Sequence, residues 1–333
     1  MTQFYDARGN IYGVVSPQAL RAQGVDLPLD AEAAAMRRLD WASQAISVSC
    51  TWPEGQQPAG TKEYRSDGLL IGPFQHTAPF DLLIVNTDGT LAERSGNGLT
   101  IFAQSLADRG LVPHQTTFTM RVHHDKNHSP TAVMVEPANY DDIAGFWLDL
   151  GKPEFGPHAV DANASNIDAA ELNGRVVSSV KRLKQIDGKW AHSVFIRIGN
   201  PHCVTLVSDR QALPGFDSLN REPLNNALRK IAFAEGEFGV GEPCAAGINL
   251  QWAYVVNEGQ IEARIFERGE GPTASSGTSA SAVACAAWMA GWVNAGHVRV
   301  IMPGGTAPVR LVERDGILQQ VFLFGTTYQI GSV

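Results

Sequence analysis

Cysteine is scarce in this chain. Four residues in 333, at positions 50, 203, 244 and 285, form no CxxC pair and no zinc-ligand spacing. That excludes a disulfide framework and fits a reducing compartment, so the chain reads as cytoplasmic. Positive charge is also short. The 26 Lys and Arg stand against 34 Asp and Glu, a formal net charge of −8. Nothing supplies a general attraction to phosphate, which argues against nucleic acid and against an anionic membrane as partners. Long apolar runs are missing too. The longest, residues 282–293, is too short to span a bilayer and is rich in small side chains. The opening MTQFYDARGN lacks the charged-then-apolar pattern of a signal peptide. What is present is an apolar content of 44%, enough to bury a large core, which excludes intrinsic disorder. The length suits one large domain or two ordinary ones.

Glycine, at 33 residues, and proline, at 18, punctuate the chain into short stretches. Residues 12–15, 69–71 and 81–85 read as strands with tight exits. Residues 116–122 and 131–135 read as a hairpin around the polar loop 123–130. Further strands are expected at 146–150, 193–198, 203–207, 251–256 and 261–266, the last two joined by a turn at 257–260. Helical periodicity is rarer and predicts helices at 31–46, 98–108, 219–234 and 279–290. A polar stretch at 136–143 marks a domain boundary, placing one lobe at 1–142, rejoined by a strand near 320–333, and the other at 143–319.

Two helices carry an internal repeat. Residues 95–112 (SGNGLTIFAQSLADRGLV) and 276–293 (SGTSASAVACAAWMAGWV) align without a gap, 181 positions apart. Ser95/Ser276, Gly96/Gly277, Ala103/Ala284, Gly110/Gly291 and Val112/Val293 match. Each segment is a Ser-Gly turn, a helix apolar nearly all round and a closing glycine. Such a helix is buried. Two of them, one per half, predict an α+β fold of two pseudo-symmetric lobes, each a sheet curled around a central helix. The turns Gly96-Asn97-Gly98 and Gly277-Thr278-Ser279 leave backbone N–H groups at the positive pole of a helix, where anions bind. For either turn alone, a plain serine N-cap is the simpler reading.

The motifs around these turns resemble those of the diaminopimelate epimerase family, within the superfamily of cofactor-independent racemases and isomerases. The segment YDARGN ending at Asn10 resembles the family's opening Gly-Asn. NTDGT from Asn86, followed by RSGNG from Arg94, is similar to its Asn-x-Asp-Gly-Ser and Cys-Gly-Asn-Gly block. LDLGKPEF from Leu148 is similar to the family's lead into the second lobe. Gly199-Asn200-Pro201-His202-Cys203 is the family motif intact, and ERGEG from Glu267, then SSGTS from Ser275, are similar to its last block. Met302-Pro303-Gly304-Gly305 follows as the family's order leads one to expect.

The resemblance implies an isomerase with no cofactor and no metal. In that family two cysteines face each other across a cleft, one thiolate removing an α-proton and the opposite thiol returning one. The positions matching those cysteines are Ser95 and Ser276. Serine is a far weaker acid than a thiol and needs an adjacent base, and none is evident in the sequence. His202 is the nearest candidate by motif, though the family uses it structurally. The resemblance places substrate contacts at Asn10, Asn86, Asn200, Asn249, Glu267 and Arg268. It gives the carboxylate to the N–H groups of Gly96, Asn97, Gly98, Gly277 and Thr278.

Gly68 stands where the family has glutamine and Pro272 replaces an acidic residue. Extra residues at 51–62 and 161–188 are expected to reshape the mouth of the cleft. The expected function is a racemase or epimerase acting at the α-carbon of an amino acid or similar small carboxylate. The alternatives are elimination or allylic isomerisation on a hydroxy or unsaturated acid, and a silent small-molecule binder. The expected partner is the small carboxylate, and a second copy of the chain is a candidate. His123, His124 and His128 sit in a polar loop with no fixed ligand geometry. Cys203 and Cys285 read as packed residues, and Trp288 and Trp292 as core or lobe packing.

Overall fold

The computed structural model describes residues 1–112 and 116–332. The chain forms two compact units: Met1–Asp149 with the closing segment from Gly325, and Leu150–Phe324.

The first unit opens with β1 (Gln3–Ala7) and β2 (Asn10–Val15). The turn between them puts Arg8 and Gly9 at φ of 58° and 83°, the double positive φ of a tight hairpin. Then come α1 (Pro17–Ala22), α2 (Ala31–Met36), α3 (Arg38–Cys50), β3 (Gly68–Ile71) and β4 (Phe80–Asn86). They are followed by α4 (Gly96–Asp108), β5 (Phe118–His123), β6 (Thr131–Tyr140) and β7 (Ile143–Asp149). The closing strand Tyr328–Ser332 pairs with β1, and pairing continues in chain order from β1 to β7. Only β2–β3 and β4–β5 run parallel within that series. α4 packs on β1, β2 and β7, strands from both ends of the series, so the sheet curls around it. On the other face Leu20, Trp41 and Ile46 of the outer helices pack against Val15, Leu69, Ile71 and Leu83. Covered on both faces, β3 and the middle of β4 read as unbroken apolar runs.

Two expectations need correcting here. The polar stretch at 136–143 is not a boundary. β6 runs through to Tyr140 and turns directly into β7 over Asp141 and Asp142, at φ of 51° and 62°. The unit break follows at Asp149/Leu150, and the chain rejoins the first unit at Gly325. The helix expected at 31–46 is two, because Arg37, at φ −102° and ψ 24°, both ends α2 and starts α3.

The second unit contains β8 (Glu154–Phe155), β9 (Ile167–Leu172), β10 (Arg175–Val180), α5 (Lys181–Ile186), β11 (Ser193–Ile198) and β12 (Asn200–Leu206). α6 (Phe216–Leu219) and α7 (Leu224–Ala232) replace the single helix expected at 219–234, because Pro223 interrupts it. β13 (Asn249–Asn257), β14 (Gln260–Glu267), β15 (Gly271–Thr273), α8 (Gly277–Met289), β16 (Gly296–Met302), β17 (Gly305–Arg314) and β18 (Ile317–Gly325) complete it. The extra residues at 161–188 fold as the β9–β10 hairpin and α5.

The connectivity of the two units repeats. β1–β2, β2–β3 and β3–β4 are antiparallel, parallel and antiparallel, as are β11–β12, β12–β13 and β13–β14. A parallel crossover then carries the central helix: β4–α4–β5 in one unit, and β14, α8, β16 in the other. The helix termini repeat as well. Gly110 and Gly291 close α4 and α8 at φ of 67° and 71°. Leu111 N–H bonds the Leu106 carbonyl and Trp292 N–H the Ala287 carbonyl, each at 2.9 Å, the same C-terminal cap 181 positions apart. α8 packs on β11, β12, β13, β14, β16 and β17 and is buried from Ser279 through Ala287.

Candidate active site

Both central helices begin with serine as N-cap. Ser95 (φ −142°, ψ 120°) accepts at Oγ from the Gly98 N–H at 3.1 Å. Ser276 (φ −151°, ψ 125°) accepts from the Ser279 N–H at 3.4 Å. One turn on, Thr100 and Ser281 each donate a hydroxyl hydrogen to the carbonyl of Gly96 and Gly277, both at 2.9 Å. The caps use the third N–H of each helix. Gly96 and Asn97, like Gly277 and Thr278, precede the first intrahelical bonds and are half-buried. These first turns have the donors and the dipole that an anion needs.

Strand register supplies a common frame around each serine. In the first unit Tyr12 of β2 pairs with Gly68 of β3, which pairs with Asn86 of β4. In the second, His202 of β12 pairs with Asn249 of β13, and the β13–β14 ladder sets Asn249 across from Glu267. Position for position, Asn10 matches Asn200, Tyr12 His202, Gly68 Asn249, Asn86 Glu267, and Ser95 Ser276. The residues picked out by motif are thus grouped within each unit. Tyr12 and His202 are equivalent positions that the motifs do not reveal.

The side chains at these positions behave differently. The Glu267 carboxylate accepts from the Thr273 hydroxyl at 3.3 Å and lies near enough to Ser276 for that hydroxyl to favour its ionised form. Burial pushes the Glu267 carboxyl above the usual carboxylate range, while the Ser276 hydroxyl pulls it partly back. Glu267 is thus the carboxylate nearest in character to a base for Ser276, a pairing that motif spacing does not reveal. Arg268, next along the strand, is exposed and donates to the Ala246 carbonyl at 3.1 Å. Asn249 is buried and accepts from the Arg268 N–H at 2.8 Å, so it holds the strand end in place. Asn200 is exposed.

His202 is fully buried, and burial, followed by the charge of Arg268, pushes it down to about 3. It is neutral at physiological pH. Its Nδ1 accepts from Gln251 Nε2 at 3.0 Å, and the same Gln251 nitrogen donates to Ser279 Oγ at 3.1 Å. His202 thus braces the first turn of α8 and is not placed as the base of Ser276.

In the first unit Asn10 donates to Asp67 at 2.9 Å, and the Ile11 N–H bonds the same oxygen at 2.8 Å. The Asn86 amide donates to the Thr90 hydroxyl at 2.9 Å. The Tyr12 hydroxyl lies 3.3 Å from Ser95 Oγ.

The remaining candidates fall outside this frame. Burial raises Cys50 to about 11, Cys203 to about 12 and Cys244 to about 11, and pushes Cys285 further still, so all four thiols are inert. The expected histidine loop separates. His123 lies 3.0 Å from Asp81, which also takes a bidentate pair from Arg121 at 2.6 and 2.7 Å. His124 and His128 gather with Glu93, their ligand atoms within 4.8 Å of one another. Among the described residues this group is the one able to hold a metal ion, but the Lys126 ammonium already pairs with Glu93. No helix among the described residues is long and apolar enough to cross a membrane.

Comparison with known proteins agrees with this architecture. Residues 194–326 match the family described as diaminopimelate epimerase. The chain is 29% identical to diaminopimelate epimerase 2 of Nostoc sp. (strain PCC 7120), over 92% of this chain and 87% of that protein. Its fold resembles a Bacillus anthracis phenazine biosynthesis protein of the PhzF family, with a TM-score of 0.57 at 15% identity, covering 100% of this chain and 97% of the other. It also resembles a probable proline racemase from Agrobacterium radiobacter K84 with bound carbonate, with a TM-score of 0.55 at 15% identity, covering 99% and 91%. Duplicated curled-sheet units and serine-capped central helices, together with these matches, define the class. The chain is an isomerase similar in sequence to the diaminopimelate epimerases, with a fold like that of a PhzF-family protein and a probable proline racemase. Within that class, its second unit carries the diaminopimelate epimerase family pattern along most of its length.

Proposed function

We propose that this chain is a cofactor-independent isomerase that removes and returns a proton at the α-carbon of an amino acid or related small carboxylate. Ser95 and Ser276 are its two proton-handling positions. The observation that carries this reading is the pair of serine-capped central helices, with the Glu267 carboxylate beside Ser276 at the first turn of α8. A serine hydroxyl alone is too weak a base for an α-proton, but Glu267 can accept the Ser276 proton as Ser276 Oγ takes one from carbon. A carboxyl raised by burial is the stronger base for that step. The N–H groups of Gly96, Asn97, Gly98, Gly277 and Thr278 would hold the carboxylate and the negative charge that develops beside it. Asn10, Asn86, Asn200 and Arg268 are the proposed contacts to the rest of the substrate, with Asn249 positioning Arg268.

Placing Glu267 beside a capping hydroxyl favours turnover over silent binding, because the carboxylate can then exchange a proton with Ser276 as well as contact a substrate amino group. The test is solvent deuterium incorporation at the α-carbon across a panel of amino acids and hydroxy acids. The native chain should exchange at least one of them, and Ser276→Ala should lose about 100-fold or more. Absence of exchange with every compound would overturn the reading. Loss of water or a shifted double bond would instead assign elimination or allylic isomerisation.

A further inference from the structure

We propose that Tyr12 stands behind Ser95 as Glu267 stands behind Ser276: the phenol and the serine hydroxyl form a proton-handling pair in the first unit. The inference deepens the isomerase reading and rests on it.

The pair is built, not incidental. Tyr12 is buried on β2, and its hydroxyl lies 3.3 Å from Ser95 Oγ. That is long for two hydroxyls, as contacts in unliganded sites commonly are. Ser95 Oγ already accepts the Gly98 N–H at 3.1 Å, which leaves one lone pair and its own hydrogen for the phenol. The ring is seated by Gly68, its partner across the sheet. A Cβ built on Gly68 would lie 2.7 Å from Tyr12 Cε1 and 3.2 Å from Cδ1. Gly68 has no positive φ to justify it, so the glycine is there for space. The glycine at 68, which departs from the family's glutamine, is thus tied to the serine at 95 through the tyrosine ring.

The frame shows why a tyrosine is needed. In the second unit the β14 position of the frame is Glu267, whose carboxylate the Ser276 hydroxyl favours, and the ring position is a buried His202 bonded to Gln251. In the first unit the equivalent of Glu267 is Asn86, an amide that cannot exchange a proton and is turned to Thr90. The titratable contact to Ser95 comes from the ring position instead. A phenol, ordinarily near pKa 10, is far more acidic than an aliphatic hydroxyl. As Ser95 gives its hydrogen to the carbanion, Tyr12 gives its own to Ser95. One C–H bond forms, the Ser95 O–H is broken and remade, and the charge rests on the phenolate until water returns a proton. The reverse sequence removes a proton. Tyr12 acts through Ser95 and is a positioning and relay residue.

The isosteric Tyr12→Phe tests this in two arms. In the first, Ser95→Cys puts a thiol at the contact, and its pKa is read by pH-dependent alkylation with iodoacetamide. The four native thiols are buried and do not compete. Adding Tyr12→Phe should raise that thiol by about one unit, because a phenol hydrogen bond stabilises the thiolate. No shift overturns the contact. In the second, α-deuterium exchange by otherwise native protein should fall about 100-fold with Tyr12→Phe at little change in KM, and less than tenfold on the Ser95→Cys background, where the thiol supplies its own acid. Equal losses on both backgrounds overturn the relay. If the native chain exchanges nothing, the isomerase reading and the relay role both fail, and the thiol arm reports the contact alone.

Discussion

Gly68 leaves the space that the Tyr12 ring fills. The two residues pair directly across β2 and β3, and a methyl group on Gly68 would also lie 2.8 Å from the Val85 carbonyl oxygen. The ring can shift, but the Val85 carbonyl belongs to the neighbouring strand and cannot. Gly68→Ala should therefore cost about 2 kcal/mol of stability, in the range of overpacked core sites. Chemical denaturation would show this as a lower midpoint at unchanged slope. Adding Tyr12→Leu should recover part of the loss, and a double variant no more stable than Gly68→Ala would show that the ring does not need the glycine.

In the proposed mechanism Glu267 trades stability for chemistry. Its folded pKa is raised, so the folded state favours the protonated form. The stabilising contribution is complete below the unfolded carboxyl value near 4.3 and is lost as pH rises through the folded pKa. Glu267→Gln replaces the half-buried carboxyl with a neutral amide of the same shape. The variant should melt higher than native near pH 7, converge with it near pH 4, and lose about 100-fold or more of its α-exchange. A variant that melts lower near pH 7 would show that the carboxylate's contacts, the Thr273 hydroxyl among them, outweigh the burial of the charge.

The central helices are legible in the sequence because burial on all sides leaves them apolar throughout, and Ser-Gly starts and glycine ends mark their limits. Their partners are less legible. Tyr12 and Gly68 are separated by α1, α2 and α3 before the parallel pairing of β2 and β3 joins them, and no local pattern encodes that register. Glu267 and Arg268 enter as one binding pair through the family resemblance. They part because β14 ends at Glu267: Glu267 stays half-buried and accepts from Thr273, while Arg268, in the turn beyond, is exposed. The strands from Gly296 to Gly325 pass unread because Gly304, Gly305 and Pro308 interrupt their pattern, although Pro308 sits within β17 opposite Arg299.

The two serines cap their helices, and the cap can be separated from the proposed proton-handling role. Ser95→Ala or Ser276→Ala should each cost about 1 kcal/mol, the usual loss of an N-cap, along with α-exchange. Asparagine caps as well as serine does but has no hydroxyl to relay a proton. Ser276→Asn should therefore keep its unfolding midpoint near the native value while exchange falls as far as in the alanine variant. Retained exchange in Ser276→Asn would reduce Ser276 to a cap and leave Glu267 to work without it.

His202 should set the acid limit of the fold. Its folded pKa, about 3, lies below the unfolded value near 6.5. The stability this difference contributes is complete above pH 6.5 and is lost as pH falls toward 3, because only the unfolded chain can take the proton. Over the fall from about pH 7 to pH 4.5 the loss should be on the order of 2–3 kcal/mol. His202→Asn keeps an acceptor for Gln251 and removes the titration. It should be less stable than native near pH 7, where a packed ring is lost, and close the gap as the solution is acidified. Carboxylates elsewhere, such as Asp81 held low by Arg121 and His123, titrate alike in both proteins and cancel. Urea midpoints at the two pH values decide the matter: a native-to-variant gap of constant size would mean that His202 packs the start of α8 without governing its response to acid.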